Sequence, residues 1–165
     1  MFSWVELKDY LVYGEFLEFR DKKQQRNMST EFIWPIRVYY EDTDAGGVVY
    51  YANYLKFYER ARSEWLNHLN IDQPALLQQN LAFVVAKVEI DYLRPARLND
   101  SLLVKSKIKR LSAAGIIFEQ HLELQQADNN ILLNKAMVKV ACLNLDSFTP
   151  CRIPASVREE FQRAC

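Results

Sequence analysis

The sequence predicts an α+β protein in which one curved antiparallel sheet of five strands wraps around one long helix. The first observation is a single long segment whose apolar residues recur every three or four positions, as in a helix that buries one face. The second is a row of four extended segments after it, separated by turn-forming residues. A further strand precedes the helix. One helix can cover one sheet, so a sheet curved around that helix is the most economical packing.

The first strand is predicted over residues 32–40, FIWPIRVYY, which are rich in β-branched and aromatic side chains. Pro35 has no backbone N–H to donate, so it should lie near the start of the strand or on a sheet edge. The acidic, glycine-containing segment EDTDAGG follows and predicts a turn.

The long helix is predicted over about residues 52–69. Its apolar stripe consists of Tyr51, Tyr54, Leu55, Tyr58, Ala61, Trp65, Leu66 and Leu69. The positions between them carry charge, at Lys56, Glu59, Arg60, Arg62 and Glu64. This spacing assigns Tyr54, Tyr58 and Trp65 to the core rather than to an acyl pocket. Asp72 is predicted to cap a short second helix, with Pro74 in its first turn, that ends near Asn80.

The remaining strands are predicted over residues 82–93, 101–111, 115–126 and 131–145. The first of them alternates apolar and polar residues from 84 to 92, which is the period of a half-buried strand. Turn signals at 97–100, 112–115 and 128–130 indicate short connections, which normally join antiparallel neighbours. A terminal helix is predicted over 154–164.

The chain divides into a possible extension and one domain. Residues 20–27, RDKKQQRN, read as a charged linker, and Met28 directly after it is a candidate natural start. We therefore assign residues 1–27 to an N-terminal extension and residues 28–165 to a single domain.

Composition excludes several classes of protein. The chain has 21 Lys and Arg residues against 21 Asp and Glu residues, so no overall positive field would recruit nucleic acid. The chain has three cysteines, Cys142, Cys151 and Cys165. Their number is odd and no two of them form a CxxC motif, which argues against a disulfide framework and against a zinc site. Cys142 should pack as a small apolar residue. Without a signal sequence or an apolar run long enough to span a bilayer, the expected location is the cytoplasm.

Three carboxylates, Glu41, Asp42 and Asp44, precede the long helix. The simplest explanation is helix capping, since negative charge is favoured at a helix N-terminus. Asp42 could also begin a calcium loop, but the twelfth position is Asn53 where a bidentate Glu is required. A phosphatase-like D-x-D is disfavoured because no later acidic pair would complete a magnesium site. No metal is therefore expected.

The spacing of a longer motif identifies a family. Arg37-Val38, then Thr43-Asp44, Gly47-Val48-Val49 and Tyr54 resemble the signature of the 4-hydroxybenzoyl-CoA thioesterase family, which has the hotdog fold. The strings RVYYEDTDAGGVVYYANYLKFYERARSEWL and FVVAKVEIDYLRPARLND resemble more narrowly its YbgC-like branch of acyl-CoA thioesterases, which is associated with the Tol-Pal system. The resemblance covers about residues 33–150.

This resemblance implies an acyl-CoA thioesterase with no cofactor. It places the catalytic aspartate at Asp44, as nucleophile or as general base for water, and the backbone N–H that polarises the thioester carbonyl at Tyr51. A helix N-terminus supplies oriented donors, which is the arrangement that a developing oxyanion needs. Substrate-binding residues are placed at Gly47, Val48, Glu59 and Arg94.

The sequence departs from the branch at Tyr51, where its members commonly carry His, and a histidine-assisted mechanism is not expected. His68 and His121 match no motif position and should be surface or structural residues. Glu59 is a second acidic candidate, although pairing with Arg60 or Arg62 explains it more simply.

Basic residues should contact the phosphates of coenzyme A, and Arg94 and Arg97, on either side of Pro95, are the candidates. A second basic run, Lys105, Lys107, Lys109 and Arg110, fits a solvated strand face better. The expected partners are acyl-CoA, with acyl carrier protein as a further carrier, and other copies of the chain in a homodimer or homotetramer.

A second function stays open, a non-catalytic protein that binds acyl-CoA or acyl carrier protein or acts as a scaffold in the cell-envelope system. The intact Asp44 and the glycines beside it favour the enzyme. A hotdog dehydratase is disfavoured because no His lies in the corner before the helix.

Overall fold

The computed structural model describes residues 31–164. The predicted extension over residues 1–27 and the third cysteine, Cys165, lie outside the described residues. The strands are β1 (Phe32–Arg37), β2 (Leu81–Tyr92), β3 (Ser101–Leu111), β4 (Gly115–Leu124), β5 (Ile131–Asn144) and β6 (Thr149–Pro150). The helices are α1 (Asn53–His68), α2 (Gln73–Gln78) and α3 (Ala155–Arg163), with a short 3-10 turn over Tyr40–Asp42.

The strands form one antiparallel sheet in the order β1-β3-β4-β5-β2, with α1 packed against it. This confirms the predicted α+β architecture of a curved five-stranded sheet around one long helix. The sheet also contains the two-residue β6, which the sequence did not predict and which pairs with the end of β5.

The prediction that all successive strands are neighbours was wrong for β2 and β3. β2 pairs with β5 at one edge, whereas β3 lies between β1 and β4. The short segment between them, residues 93–100, therefore crosses the end of the sheet. Three inter-strand spacings amount to about 14 Å. Eight extended residues can reach about 26 Å, so a short connection can make this crossing.

The first strand ends earlier than predicted, at Arg37 rather than at residue 40. The buried carboxylate of Asp42 accepts the N–H of Tyr39, and the N–H of Asp42 donates to the Tyr39 carbonyl at 3.0 Å. These bonds draw the chain into the 3-10 turn, so the aromatic residues at 39 and 40 do not extend the strand.

Helix α1 matches its predicted bounds within one residue at each end. Tyr54, Tyr58 and Trp65 are buried in the core, as the spacing predicted, and Trp65 stacks on Phe32 of β1 with ring centroids 5.6 Å apart. Arg62, however, does not lie on a solvated face. It is 7% exposed and donates to the buried Gln120 of β4 at 2.7 Å.

The two short helices close the ends of the structure. The Asp72 side chain accepts the Ala75 N–H at 3.1 Å, which confirms the predicted cap of α2. Helix α3 begins after Pro154 and buries Val157 and Phe161. No helix within residues 31–164 is long and apolar enough to cross a membrane.

Candidate active site

Asp44 lies in a tight turn between the 3-10 segment and α1. Its N–H donates to the Val48 carbonyl at 3.0 Å, and its carbonyl accepts the Gly47 N–H at 3.0 Å. Thr43 and Val49 pair on either side, which closes the turn. Gly47 has a φ of +71°, in the left-handed region that favours glycine.

The Asp44 side chain is exposed and folds back over its own turn. Its Oδ1 accepts the Gly46 N–H at 2.8 Å. A Cβ at position 46 would lie 3.0 Å from that oxygen, so glycine there lets the carboxylate take this orientation. Gly46 and Gly47 therefore allow the turn that fixes the exposed Asp44 carboxylate in one orientation.

Asp42, two residues earlier, has a structural role. Its carboxylate is 2% exposed and accepts the Tyr39 N–H at 2.9 Å. Its carbonyl accepts the Tyr50 N–H at 2.9 Å and the Asn53 side-chain amide at 3.0 Å. Asp42 thus ties the chain before the turn to the first residue of α1. Of the two aspartates, only Asp44 keeps its carboxylate exposed.

The start of α1 leaves backbone donors free. The capping position is Ala52, which has no side-chain acceptor. The Asn53 N–H donates to the Tyr50 carbonyl at 2.8 Å, and the Leu55 N–H donates to the Ala52 carbonyl at 3.1 Å. Among residues 31–164 the N–H groups of Tyr51 and Ala52 have no acceptor. Unpaired donors at a helix start favour negative charge.

Four tyrosines surround this helix start, and we call Tyr50, Tyr51, Tyr54 and Tyr92 the tyrosine cluster. The Tyr92 hydroxyl, from the edge strand β2, donates to the Tyr51 carbonyl at 3.1 Å. The rings of Tyr51 and Tyr92 meet edge to face with centroids 6.4 Å apart. Tyr92 also lies 5.8 Å from the ring of Tyr54. The cluster joins α1 to the last residue of β2.

The pKa values of Tyr50, Tyr54 and Tyr92 are raised, so these three phenols stay protonated at neutral pH. The pKa of Tyr50 rises chiefly through a hydrogen bond with the Tyr51 side chain, with a smaller part from the negative charge of Asp44. Burial raises the pKa of Tyr54, and the same carboxylate adds to that rise. The pKa of Tyr92 is raised by burial and by Tyr51.

The crossing segment 93–100 passes directly behind the Asp44 turn. Val48 pairs with Arg97, and the Val49 N–H donates to the Ala96 carbonyl at 2.9 Å. The Tyr54 hydroxyl in turn accepts the Ala96 N–H at 2.9 Å. Val48 and Arg97 are therefore brought to the corner. Arg94 belongs to the same segment, and its N–H donates to the Leu133 carbonyl at 2.9 Å.

Glu59 is not brought to Asp44. It lies eight residues beyond Tyr51 on α1, a rise of about 12 Å. Its carboxylate pairs with Arg62 and accepts the Ser63 hydroxyl at 3.2 Å. Burial lowers the pKa of Arg62, and the charge of Glu59 opposes that shift. The simpler explanation offered by the sequence, an ion pair on the helix, is confirmed for Arg62.

The remaining candidates lie away from the corner. Lys105, Lys107 and Lys109 pair with Glu123, Glu31 and Glu119 along the sheet. His68 is exposed near Phe32, and His121 is partly buried in β4. Within residues 31–164 no three potential ligands lie together in a way that would hold a metal ion.

Tyr92 and the backbone contacts of Ala96 with Val49 and Tyr54 are the parts of the site that sequence reasoning missed. In the sequence, Tyr92 is the last of the alternating apolar positions of β2, after Val88 and Ile90. Only the strand order, however, places the end of β2 beside the start of α1.

Comparison with known proteins gives consistent matches over this region. The profile of the thioesterase-like superfamily matches residues 38–161. The acyl-CoA thioesterase YbgC of Haemophilus influenzae is 50% identical over 131 residues, which cover 79% of this chain and 93% of that protein. The acyl-CoA thioester hydrolase YbgC of Escherichia coli is 44% identical over 135 residues, covering 82% of this chain and 98% of that protein.

Among solved structures, a 1,4-dihydroxy-2-naphthoyl-CoA thioesterase from Synechocystis superposes with a TM-score of 0.70 at 27% identity. The match covers 80% of this chain and 96% of that chain.

Proposed function

Because this chain belongs to the thioesterase-like superfamily and is 44–50% identical to YbgC acyl-CoA thioesterases, we propose that it hydrolyses acyl-CoA to a free acid and coenzyme A. The observation that carries the proposal is the corner before α1, where an exposed carboxylate at Asp44 and an unpaired backbone N–H at Tyr51 stand on adjoining segments.

The corner supplies the two groups that the reaction needs. Asp44 either attacks the thioester carbon itself or takes a proton from an attacking water. The Tyr51 N–H donates to the carbonyl oxygen, which becomes negative as the nucleophile adds to the carbonyl carbon, before the carbon–sulfur bond breaks. Loss of one such donor typically costs about 3 kcal/mol of barrier stabilisation. Direct attack expels coenzyme A and leaves the acyl group on Asp44 as an anhydride, which water then hydrolyses. Both mechanisms therefore release the coenzyme A thiol and the acid.

The substrate fits the corner from two sides. Gly47 and Val48 close the same turn as Asp44, and the open space around Gly47 lets the thioester approach the backbone closely. Arg94 and Arg97, both exposed on the crossing segment, are the proposed contacts for the phosphates of coenzyme A. Glu59 and its partner Arg62 line a small cavity with Phe83 of β2, which makes this part of α1 the proposed wall of the acyl site.

Three finer predictions accompany this function. The chain acts in the cytoplasm, it is associated with the Tol-Pal system, and acyl carrier protein is a further carrier of its substrate. The last two rest on the resemblance to the YbgC-like branch and not on a feature of the corner.

The test is to incubate the protein with a series of short, long and aromatic acyl-CoAs. Hydrolysis is measured as the release of the coenzyme A thiol. We expect turnover by the wild type and a loss of at least about a hundredfold in Asp44→Asn, because the amide is neither a nucleophile nor a base. Its oxygen can still accept the Gly46 N–H, so the turn should stay folded.

Glu41→Gln is the matched control, since it removes an exposed carboxylate three residues away. It should keep wild-type turnover and melting temperature. Wild-type turnover in Asp44→Asn would remove Asp44 from the mechanism. Binding of acyl-CoA without hydrolysis of any member of the series would instead identify a non-catalytic binding protein.

A further inference from the structure

Two cysteines face each other where the C-terminal segment joins the sheet. The pairs Leu143–Pro150 and Asn144–Thr149 join β5 to β6. One step further along the same register lie Cys142 and Cys151, and the Cys151 N–H donates to the Cys142 carbonyl at 2.9 Å. Their Sγ atoms are 3.6 Å apart, and both thiols are free.

This arrangement is compatible with a covalent bond between the two sulfurs. Opposite residues of an antiparallel pair have Cα atoms about 4.5–5.5 Å apart, which lies within the range that disulfides span. A disulfide needs about 2.05 Å between sulfurs. The two Sγ atoms must therefore approach by only about 1.5 Å, a change that side-chain rotation can supply without moving a strand.

We propose that Cys142 and Cys151 form an oxidative modification site, an intrachain disulfide made by exchange with a low-molecular-weight disulfide such as oxidised glutathione. The Cys151 thiolate attacks one sulfur of the small disulfide and expels a thiolate, which leaves a mixed disulfide on Cys151. The Cys142 thiol then loses its proton to solvent and attacks Cys151 Sγ, which expels the second small thiolate. Two protein thiols are oxidised, and the small disulfide is reduced to two thiols that take up both protons.

The difference in exposure between the two cysteines determines the order of these steps. Cys142 is 2% exposed, whereas Cys151 is partly exposed, so the external disulfide reaches Cys151 first. Burial also raises the pKa of the Cys142 thiol to about 12, and its hydrogen bond with Cys151 adds to that rise. Cys142 is thus a poor nucleophile toward molecules in solution, and its reaction depends on the neighbouring sulfur.

The bond would fasten the C-terminal helix to the sheet. The Ile153 N–H donates to the Ala113 carbonyl at 2.9 Å, and Phe161 of α3 packs against Phe83 with ring centroids 6.0 Å apart. Phe83 is the β2 partner of Cys142, nine residues from Tyr92, or about 30 Å along the strand. The two sulfurs are therefore remote from Asp44, although Phe83 also lines the cavity proposed as the wall of the acyl site. Oxidation is best followed by mass, which does not depend on thioester hydrolysis.

The experiment uses the full chain with Cys165→Ser, so that only the two facing thiols remain. After incubation with oxidised glutathione, intact-mass measurement should show the loss of two hydrogens, reversed by dithiothreitol. Adding Cys142→Ala should stop the reaction at a glutathione adduct on Cys151. Adding Cys151→Ser should leave the mass unchanged, because the remaining thiol is buried.

The oxidised protein should also melt several degrees higher than the reduced protein, since the bond restricts the unfolded chain. A stable glutathione adduct in the protein that keeps both cysteines, or bonds between two chains on a non-reducing gel, would overturn the proposal.

Discussion

Asp42 and Asp44 stand two positions apart and differ in what surrounds their carboxylates. The Asp42 side chain is buried and accepts a backbone N–H, whereas Asp44 bonds only across its own turn and faces solvent. Each carboxylate accepts one backbone N–H, so burial is what separates them, and a substrate cannot reach the buried carboxylate of Asp42. The exposed one is free to react.

At Tyr51 the proposed group is the main chain, so the side chain should matter little. Tyr51→Phe keeps the N–H and removes only a hydroxyl that bonds to exposed Tyr50. We expect kcat to stay within about twofold of wild type, measured with the preferred acyl-CoA. A hundredfold fall at an unchanged melting temperature would show that the hydroxyl takes part in the chemistry. Tyr51→His then asks whether the histidine of the related branch adds turnover that this chain lacks.

Tyr92 is expected to position the Tyr51 turn without touching the reacting atoms. Tyr92→Phe keeps the ring contacts and removes the donor to the Tyr51 carbonyl, so the helix start becomes less well fixed. We expect kcat to fall about tenfold while KM stays nearly constant, because the effect lies in the oxyanion geometry.

Tyr40→Phe is the control for this prediction, since Tyr40 is 83% exposed and its removal should leave both constants unchanged. If Tyr92→Phe instead lowers the melting temperature and changes KM as well as kcat, Tyr92 has a purely structural role.

At the scale of elements, β4 begins at a residue that only glycine can occupy without strain. A Cβ at Gly115 would lie 2.7 Å from the Val140 carbonyl oxygen of β5, and that oxygen belongs to backbone that cannot rotate away. Gly115→Ala should therefore lower the free energy of unfolding by about 1–3 kcal/mol, measured by denaturant titration. Asp128→Ala, at an exposed position in the next connection, should change it by less than about 0.5 kcal/mol. A Gly115→Ala protein as stable as wild type would show that the two strands can separate here.

The local sequence pattern predicted the individual helices and strands far better than it predicted the order of the strands in the sheet. The periodicity of α1 and the Asp72 cap depend on residues near one another in sequence, and both were predicted correctly. The neighbour of β2 depends on pairing with β5, more than 40 residues away, for which alternation carries no information. The burial of Arg62 could not be predicted for a similar reason, because its partner Gln120 lies on a distant strand.

The candidate site divides in the same way. The acidic turn was visible in the sequence, and the resemblance singled out Asp44 among three carboxylates. Tyr92 was not visible, because its contact with Tyr51 exists only once β2 lies at the sheet edge beside the start of α1.

At the scale of the whole molecule, the edge strand β2 exposes apolar side chains. On the β2 edge, Val85 is 47% exposed and Tyr92, a member of the tyrosine cluster, is 46% exposed, and Leu93 directly after the strand is 53% exposed. Open strand edges with apolar side chains are normally covered, because their unpaired backbone groups invite further strand pairing. We propose that two copies join along β2, so that each candidate site lies at the interface and Asp44 of one subunit faces the strands of its partner.

This arrangement predicts a dimer, or a tetramer built from two dimers, in sedimentation at micromolar concentration. Val85→Lys should weaken the dimer because it places a charge on the joined edge, and the exposed side chain should leave the fold of each subunit intact. Ile33→Lys is the matched control, an equally exposed position at 46% on the opposite edge strand β1, and it should leave the dimer intact. Dilution of the wild type until it dissociates should remove thioesterase turnover together with the shared site. A fully active species sedimenting at the 19.4 kDa of one chain would refute the shared-site arrangement.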